Sequence, residues 1–171
     1  MTMELGNGGG WSTDLAWGLS LIVLNVVFHA ISLGLINKAV ASRLSGSLQH
    51  WHHVFLSVCV VGGTALSTVL LHAIEVSSWA AVYQLLGALP DQQSAMLYSM
   101  NAMTSYGHVN LYLAPRWQMM GSLEALNGWI LFGLTTAFLF AIVQKAWSSH
   151  SGSNRAPERM LPLRSSNGES R

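Results

Sequence analysis

The chain has 171 residues, of which 51% are hydrophobic and only 9% charged, with a formal net charge of +1 and a mean hydropathy of +0.39. An ordinary soluble domain carries about 25% charged residues. These values therefore exclude a water-soluble globule, give no footing for a nucleic-acid partner, and leave length for one compact membrane domain without a soluble catalytic domain beside it.

Residues 1–13 are Gly-rich and polar and are expected to form a flexible N-terminus. They lack the basic run that a cleavable signal peptide needs, so the first apolar run is expected to be retained. That run, about 15–36, is long enough to cross roughly 30 Å of hydrocarbon at about 1.5 Å per residue. Asn25, His29 and Ser32 fall on one of its faces. A short loop with Arg43 and Gly46 leads to Trp51-His52-His53, which with His50 suits anchoring at a headgroup boundary better than a metal site. The second span is predicted at about 54–75, with a helix that can continue through Trp79 and Tyr83 towards a break at Gly87-Ala88-Leu89-Pro90. It carries Cys59, expected as inert packing, and aligns Thr64, Thr68, His72 and Glu75. One cysteine excludes an intrachain disulfide and speaks against a thiolate metal centre.

Asp91 follows Pro90 as a good helix N-cap, and residues 91–101 predict about three turns. Such a segment is too short and too polar to span, so it is read as re-entrant. A loop with the filter-like stretch 103–108 follows, and the third span is predicted at 117–147, about 45 Å long. It carries Glu124 and Asn127 on one face, then Gly128 and Gly133. Residues 148–171, rich in Ser, Gly, Asn, Arg and Pro, predict a disordered tail.

The basic residues set the expected orientation. Lys38 and Arg43 lie in the first loop, and Lys145, Arg155, Arg159, Arg164 and Arg171 lie at the C-terminal end. Both segments are cytoplasmic if the N-terminus is outside, and three crossings then place the re-entrant loop on the outer side.

The short helix at 91–101, the loop Thr104-Ser105-Tyr106-Gly107-His108, Pro115-Arg116-Trp117 and the run from Gly121 to Gly128 together resemble the pore module of small bacterial members of the potassium-channel superfamily. The likeness covers about residues 72–147. It implies an all-α integral membrane fold of three transmembrane helices plus a re-entrant pore helix, in the bacterial inner membrane. It also implies a homotetramer that passes monovalent cations, potassium above all, along Met103, Thr104, Ser105, Tyr106, Gly107 and His108. A single re-entrant loop cannot line a pore, so a ring of chains is required on physical grounds as well. The filter departs from the family: Thr-Val-Gly-Tyr-Gly-Asp falls without gaps on Met103 to His108, and only Tyr106 and Gly107 match. Ser105 takes a place where glycine is free to adopt positive φ, and His108 replaces an acid. Potassium selectivity is not implied, and the alternative is a non-conducting or regulatory membrane subunit that keeps the channel fold and senses pH.

Ionisable residues inside membrane helices are costly and face protein or water. His29, His72, Glu75, Glu124 and Asn127 are accordingly expected to form an intramembrane polar network holding the outer helices to the pore. Proton sensing by Glu75, Glu124, His29, His72 and His108 is the sharper reading of the same residues. A haem between His29 and His72 is disfavoured, because the predicted spans put the two at depths about 10 Å apart. Gly128 and Gly133 serve either as bending points or as packing sites; Gly133, Ala137 and Ala141 repeat at the spacing that lets helices approach. Tyr106 is expected to brace the filter from behind or to sit at the interface. No nucleophile–base pair, acid dyad or phosphate loop occurs, so no enzyme activity, cofactor or metal is expected.

Overall fold

The computed structural model describes residues 9–44, 50–107 and 110–151. Among these there are four α-helices and no strand: α1 (Gly9–Leu44), α2 (His50–Leu85), α3 (Gln92–Met103) and α4 (Gln118–Ser151), the last entered through a single 3-10 turn at Pro115–Trp117. Three of them are long and apolar enough to cross a membrane, over Trp11–Ser42, Ser57–Leu85 and Pro115–Trp147. The helices overrun the predicted spans: residues 9–13 are already helical, α2 passes Glu75 by ten residues, and α4 continues to Ser151. His108 and the residues beyond 151 lie outside the described set, as do residues 1–8 and the side chains of His50, Trp51, His52 and His53.

The distribution of polarity is inverted relative to a water-soluble protein. Asn25, His29, Glu75, Glu124 and Asn127 are buried, whereas Val23, Leu24, Ile31, Val69 and Phe132 face outward. Large exposed apolar surface around an interior that encloses ionisable side chains among its apolar ones is what hydrocarbon stabilises and water does not. The chain is a membrane-embedded helical protein. Cys59, expected as packing, stands on the outward face.

Local chemistry ends each element. Gly87 (φ +61) closes α2 in a Schellman cap, in which Gly87 N–H donates to Gln84 and Ala88 N–H donates to Tyr83 at 3.0 and 2.8 Å. Pro90 follows, and Asp91 opens α3 by accepting from Ser94 N–H at 2.8 Å.

α3 is wedged between α2 and α4, and α1 packs chiefly on α4. The register of α3 against α4 is ordered: the Tyr98 hydroxyl meets Gly121, Ser99 meets Glu124, and the Met103 carbonyl meets Gly128. The two helices therefore run side by side in the same direction. From Met103 the chain turns back, and Ala114 N–H donates to Ala88 C=O at 3.0 Å beside the start of α3. The described residues between Pro90 and Ala114 thus descend along the first third of α4 and end at the level where they began. Gly128 is required at the deepest contact, because a Cβ there would collide with the Met103 backbone.

Candidate functional site: two buried carboxylate clusters and a capped loop

Position follows from helical spacing. His72 and Glu75 lie three apart on α2, which turns both side chains to the face that meets α1 and α4. His29 enters from α1 and Thr135 from α4. His29 Nδ1 lies 2.7 Å from Glu75 Oε1, and His72 Nδ1 lies 3.0 Å from Oε2. The second approach is out of line for a hydrogen bond, so Oε2 is buried without one. On the far side of the rings, His29 Nε2 and His72 Nε2 lie 2.9 and 3.1 Å from the same Thr135 hydroxyl. His29 and Glu75 have no exposed side-chain surface; His72 keeps 27%.

The imidazole centroids are 5.1 Å apart. The depth offset expected from the sequence is therefore corrected: the two histidines share one level. The error came from ending the second span at Glu75, when α2 runs on to Leu85 and seats His72 well inside the bundle. Haem stays excluded for a different reason, because rings this close leave no space for a macrocycle between them.

A second cluster lies closer to the Pro90 end. Tyr83 O–H donates to Glu124 Oε2 at 2.6 Å, and the Ser99 hydroxyl donates to Oε1 and contacts the Val76 carbonyl at 2.9 Å. Glu124 thus ties α2, α3 and α4 together with no exposed surface. Tyr98 meets the Tyr83 ring edge-on at 5.5 Å and completes the packing.

The five residues expected to form one network are therefore divided. His29, His72 and Glu75 are brought together, Glu124 belongs to the other cluster, and Asn127 is buried with neither amide atom hydrogen-bonded. Asn25 joins α2 through Ser78 Oγ at 3.1 Å. Thr64 and Thr68 take no part, since each donates to its own helix backbone. Sequence reasoning missed Thr135, Tyr83 and Ser99. Thr135 was within reach: Glu124, Asn127, Leu131 and Thr135 continue one helical stripe.

The filter-like stretch is not uniform. Met103 is the last residue of α3 and is buried, and Thr104 is the helix C-cap. Ser105 (φ +55) and Gly107 (φ +96) are both left-handed. Ser105 owes this to a Schellman cap of α3, in which its N–H donates to Ala102 and Tyr106 N–H donates to Asn101, both at 3.0 Å. Its hydroxyl accepts from Trp129 Nε1 at 2.9 Å, which fastens the loop to α4. Tyr106 does not brace the loop from behind within the chain; its ring is exposed. Beside the loop opens a cavity of about 450 Å³ lined by Val69, His72, Met103, Ser105, Trp129 and Phe132 among others. His72 thus belongs both to the carboxylate cluster and to the cavity wall.

Of the two glycines singled out in α4, Gly128 is a packing site under Met103, and Gly133 has open space around its Cα. Gly133, Ala137 and Ala141 all lie on the outward side of α4. Comparison with protein-family models, with curated proteins and with solved structures gives no match to this chain.

Proposed function

We propose that the protein is the pore subunit of a tetrameric, potassium-channel-like cation channel that moves ions passively and performs no covalent chemistry. The observation that carries this reading is the α3–α4 register. A short helix that descends beside a long apolar helix and returns to its starting level, Ala114 to Ala88, has the form of a re-entrant pore helix and filter loop. Irregular backbone at that depth is tolerated where protein buries it or where it borders water. Four copies around an axis supply that border. The outward stripe of Gly133, Ala137 and Ala141 on α4 supports close approach between copies. The C-terminal end of α3 carries the negative pole of its dipole and favours a cation beyond it.

In this reading the bilayer is the bacterial inner membrane, the N-terminus is outside, and the basic C-terminal end is cytoplasmic. Thr104, Ser105, Tyr106, Gly107 and His108 border the ion path. The second reading, a non-conducting or regulatory subunit that keeps this architecture, is favoured by one specific observation. Met103 is helical and buried, and Ser105 is committed to capping α3, so the extended stretch able to present carbonyls is shorter than six residues.

Liposomes containing only the purified protein separate the two, with potassium and sodium efflux measured in parallel. A channel gives flux that Gly107→Val abolishes. Flux unaltered by Gly107→Val shows that ions do not pass this loop, and no flux for either ion selects the second reading.

A further inference from the structure

The His29–His72–Glu75–Thr135 cluster has more close polar approaches than hydrogens to fill them. Four close approaches link the four side chains, at 2.7, 3.0, 2.9 and 3.1 Å. Two neutral imidazoles and one hydroxyl bring three hydrogens to them. If His29 donates from Nδ1 to Glu75 Oε1, Thr135 donates to His29 Nε2, and His72 donates from Nε2 to Thr135, then His72 Nδ1 is left bare against Glu75 Oε2. A lone pair would face a carboxylate lone pair at 3.0 Å, on an oxygen that is buried and makes no hydrogen bond. Moving the hydrogens among the nitrogens relocates the deficit without removing it. One close approach is thus left without a hydrogen in every neutral arrangement, and an ion placed between the Nδ1 atoms and the carboxylate would fill it.

We propose that His29 and His72, through Nδ1, and the Glu75 carboxylate form a binding site for a divalent transition-metal ion of the zinc class, with Thr135 orienting both imidazoles from behind. The three residues can each bring a ligand atom within 4.8 Å of the others. Tetrahedral coordination at about 2.0–2.1 Å places ligand atoms about 3.3 Å apart; His29 Nδ1 lies 2.7 Å from Oε1 and His72 Nδ1 3.0 Å from Oε2, so each imidazole already faces the carboxylate at close to that spacing. With the ion on both Nδ1 atoms, each Nε2–H donates to Thr135, whose oxygen has two lone pairs to receive them. The Thr135 hydrogen then turns to its own helix backbone, as Thr136 does with Phe132 at 2.8 Å. A hydrogen bond fixing the second ring nitrogen of each ligating histidine is the usual outer-sphere support of such sites.

Two imidazoles and one carboxylate leave a fourth position on the ion. His72 is the ligand with exposed surface, and it lines the 450 Å³ cavity. The fourth position faces that side, where a small ligand such as hydroxide would complete the coordination and cancel the remaining positive charge. The bound ion would join α1 to α2 and, through Thr135, to α4.

The test uses the full chain, without an affinity tag, purified in detergent and stripped with a chelator. Co²⁺ serves as the spectroscopic probe and Zn²⁺ as competitor. The expected result is one equivalent of Co²⁺ per chain with visible d–d bands that Zn²⁺ abolishes, together with a melting temperature that rises with Zn²⁺. His72→Ala and Glu75→Gln remove both signals, and Thr135→Val weakens binding about 10–100-fold. A variant with His50, His52 and His53 all changed to Ala keeps the full equivalent. Should Glu75→Gln fail to fold, His72→Ala decides, since its ring is part-exposed. The proposal is overturned if the wild-type chain gives no bands, if the bands survive His72→Ala, or if they vanish with the three N-terminal α2 histidines. A melting temperature that follows pH and ignores Zn²⁺ assigns the unfilled approach to a proton and overturns it equally.

Discussion

Glu75 and Glu124 are both fully enclosed in the same helical bundle, yet their partners differ in kind: two imidazoles around one, two hydroxyls around the other. Hydroxyls rotate, so Tyr83 and Ser99 can each turn a hydrogen to one carboxylate oxygen, and with the Val76 carbonyl beside Ser99 the Glu124 cluster holds α3 in place. Imidazoles have fixed directions and two chemically distinct nitrogens, so the Glu75 cluster is the one suited to the proposed metal ion. Burial alone does not tell a structural carboxylate from a reactive one. The chemistry of its neighbours, imidazole or hydroxyl, does.

The largest expected effect comes from deleting the two carboxylates and comparing the costs. With the proposed ion bound, Glu75→Ala removes its one anionic ligand and should cost about 3–5 kcal/mol, the range for leaving a buried charge unpaired. Glu124→Ala should cost less, about 1–3 kcal/mol, because Ser99 still has the Val76 carbonyl and only the Tyr83 hydroxyl is stranded. Reversible unfolding in mixed micelles measures both, and an equal or inverted order breaks the distinction drawn here. Gly128→Ala sharpens it from another side. The added methyl meets the Met103 backbone and prises α3 from α4, at about 1–3 kcal/mol for an overpacked contact. Protease access to α3 should increase while the environment of the histidine ring signals, followed by NMR, stays as in wild type.

The smallest effect lies at the start of α3. Backbone N–H donation from Ser94, assisted by the Ser94 hydroxyl at 2.7 Å, holds the exposed Asp91 carboxyl below its ordinary value. A carboxyl lowered in the folded state contributes stability above the ordinary carboxylate pKa and loses it as pH falls through the lowered one. Asp91→Ala should therefore reduce the melting temperature slightly at neutral pH and have no effect in strong acid, whereas Asp91→Asn retains most of the cap. A loss at neutral pH as large as that of Glu75→Ala would mean that α3 is held by its cap and not by Glu124.

Much of the architecture was legible because its causes are local. Gly87 and Pro90 break a helix wherever they fall, Asp91 caps the next one, and three apolar runs of adequate length announce three long helices. The polar stripes were legible as faces for the same reason, since a helix repeats every 3.6 residues. Glu75 misled the placement of the second span because a charge in an apolar run looks like a membrane exit, when His29 and His72 were waiting to receive it. Ser105 was legible as a residue standing where a filter glycine takes positive φ, but not as part of the cap of α3 that the hydrogen bonds to Ala102 and Asn101 make of Ser105 and Tyr106.

The sequence by itself determined that the chain is helical and apolar enough for a bilayer, where its helices break, and which side chains on each helix point the same way. The tertiary structure alone decided which stripes meet, at what level, and with how many hydrogens between them: His29 against His72 and not above it, Glu124 against Tyr83 and Ser99, Thr135 behind both imidazoles. The physical reason is that periodicity along one helix fixes an angle around its axis. The sliding of one helix against another, which sets depth and partners, is fixed by contacts such as Met103 on Gly128 that join residues far apart in the chain.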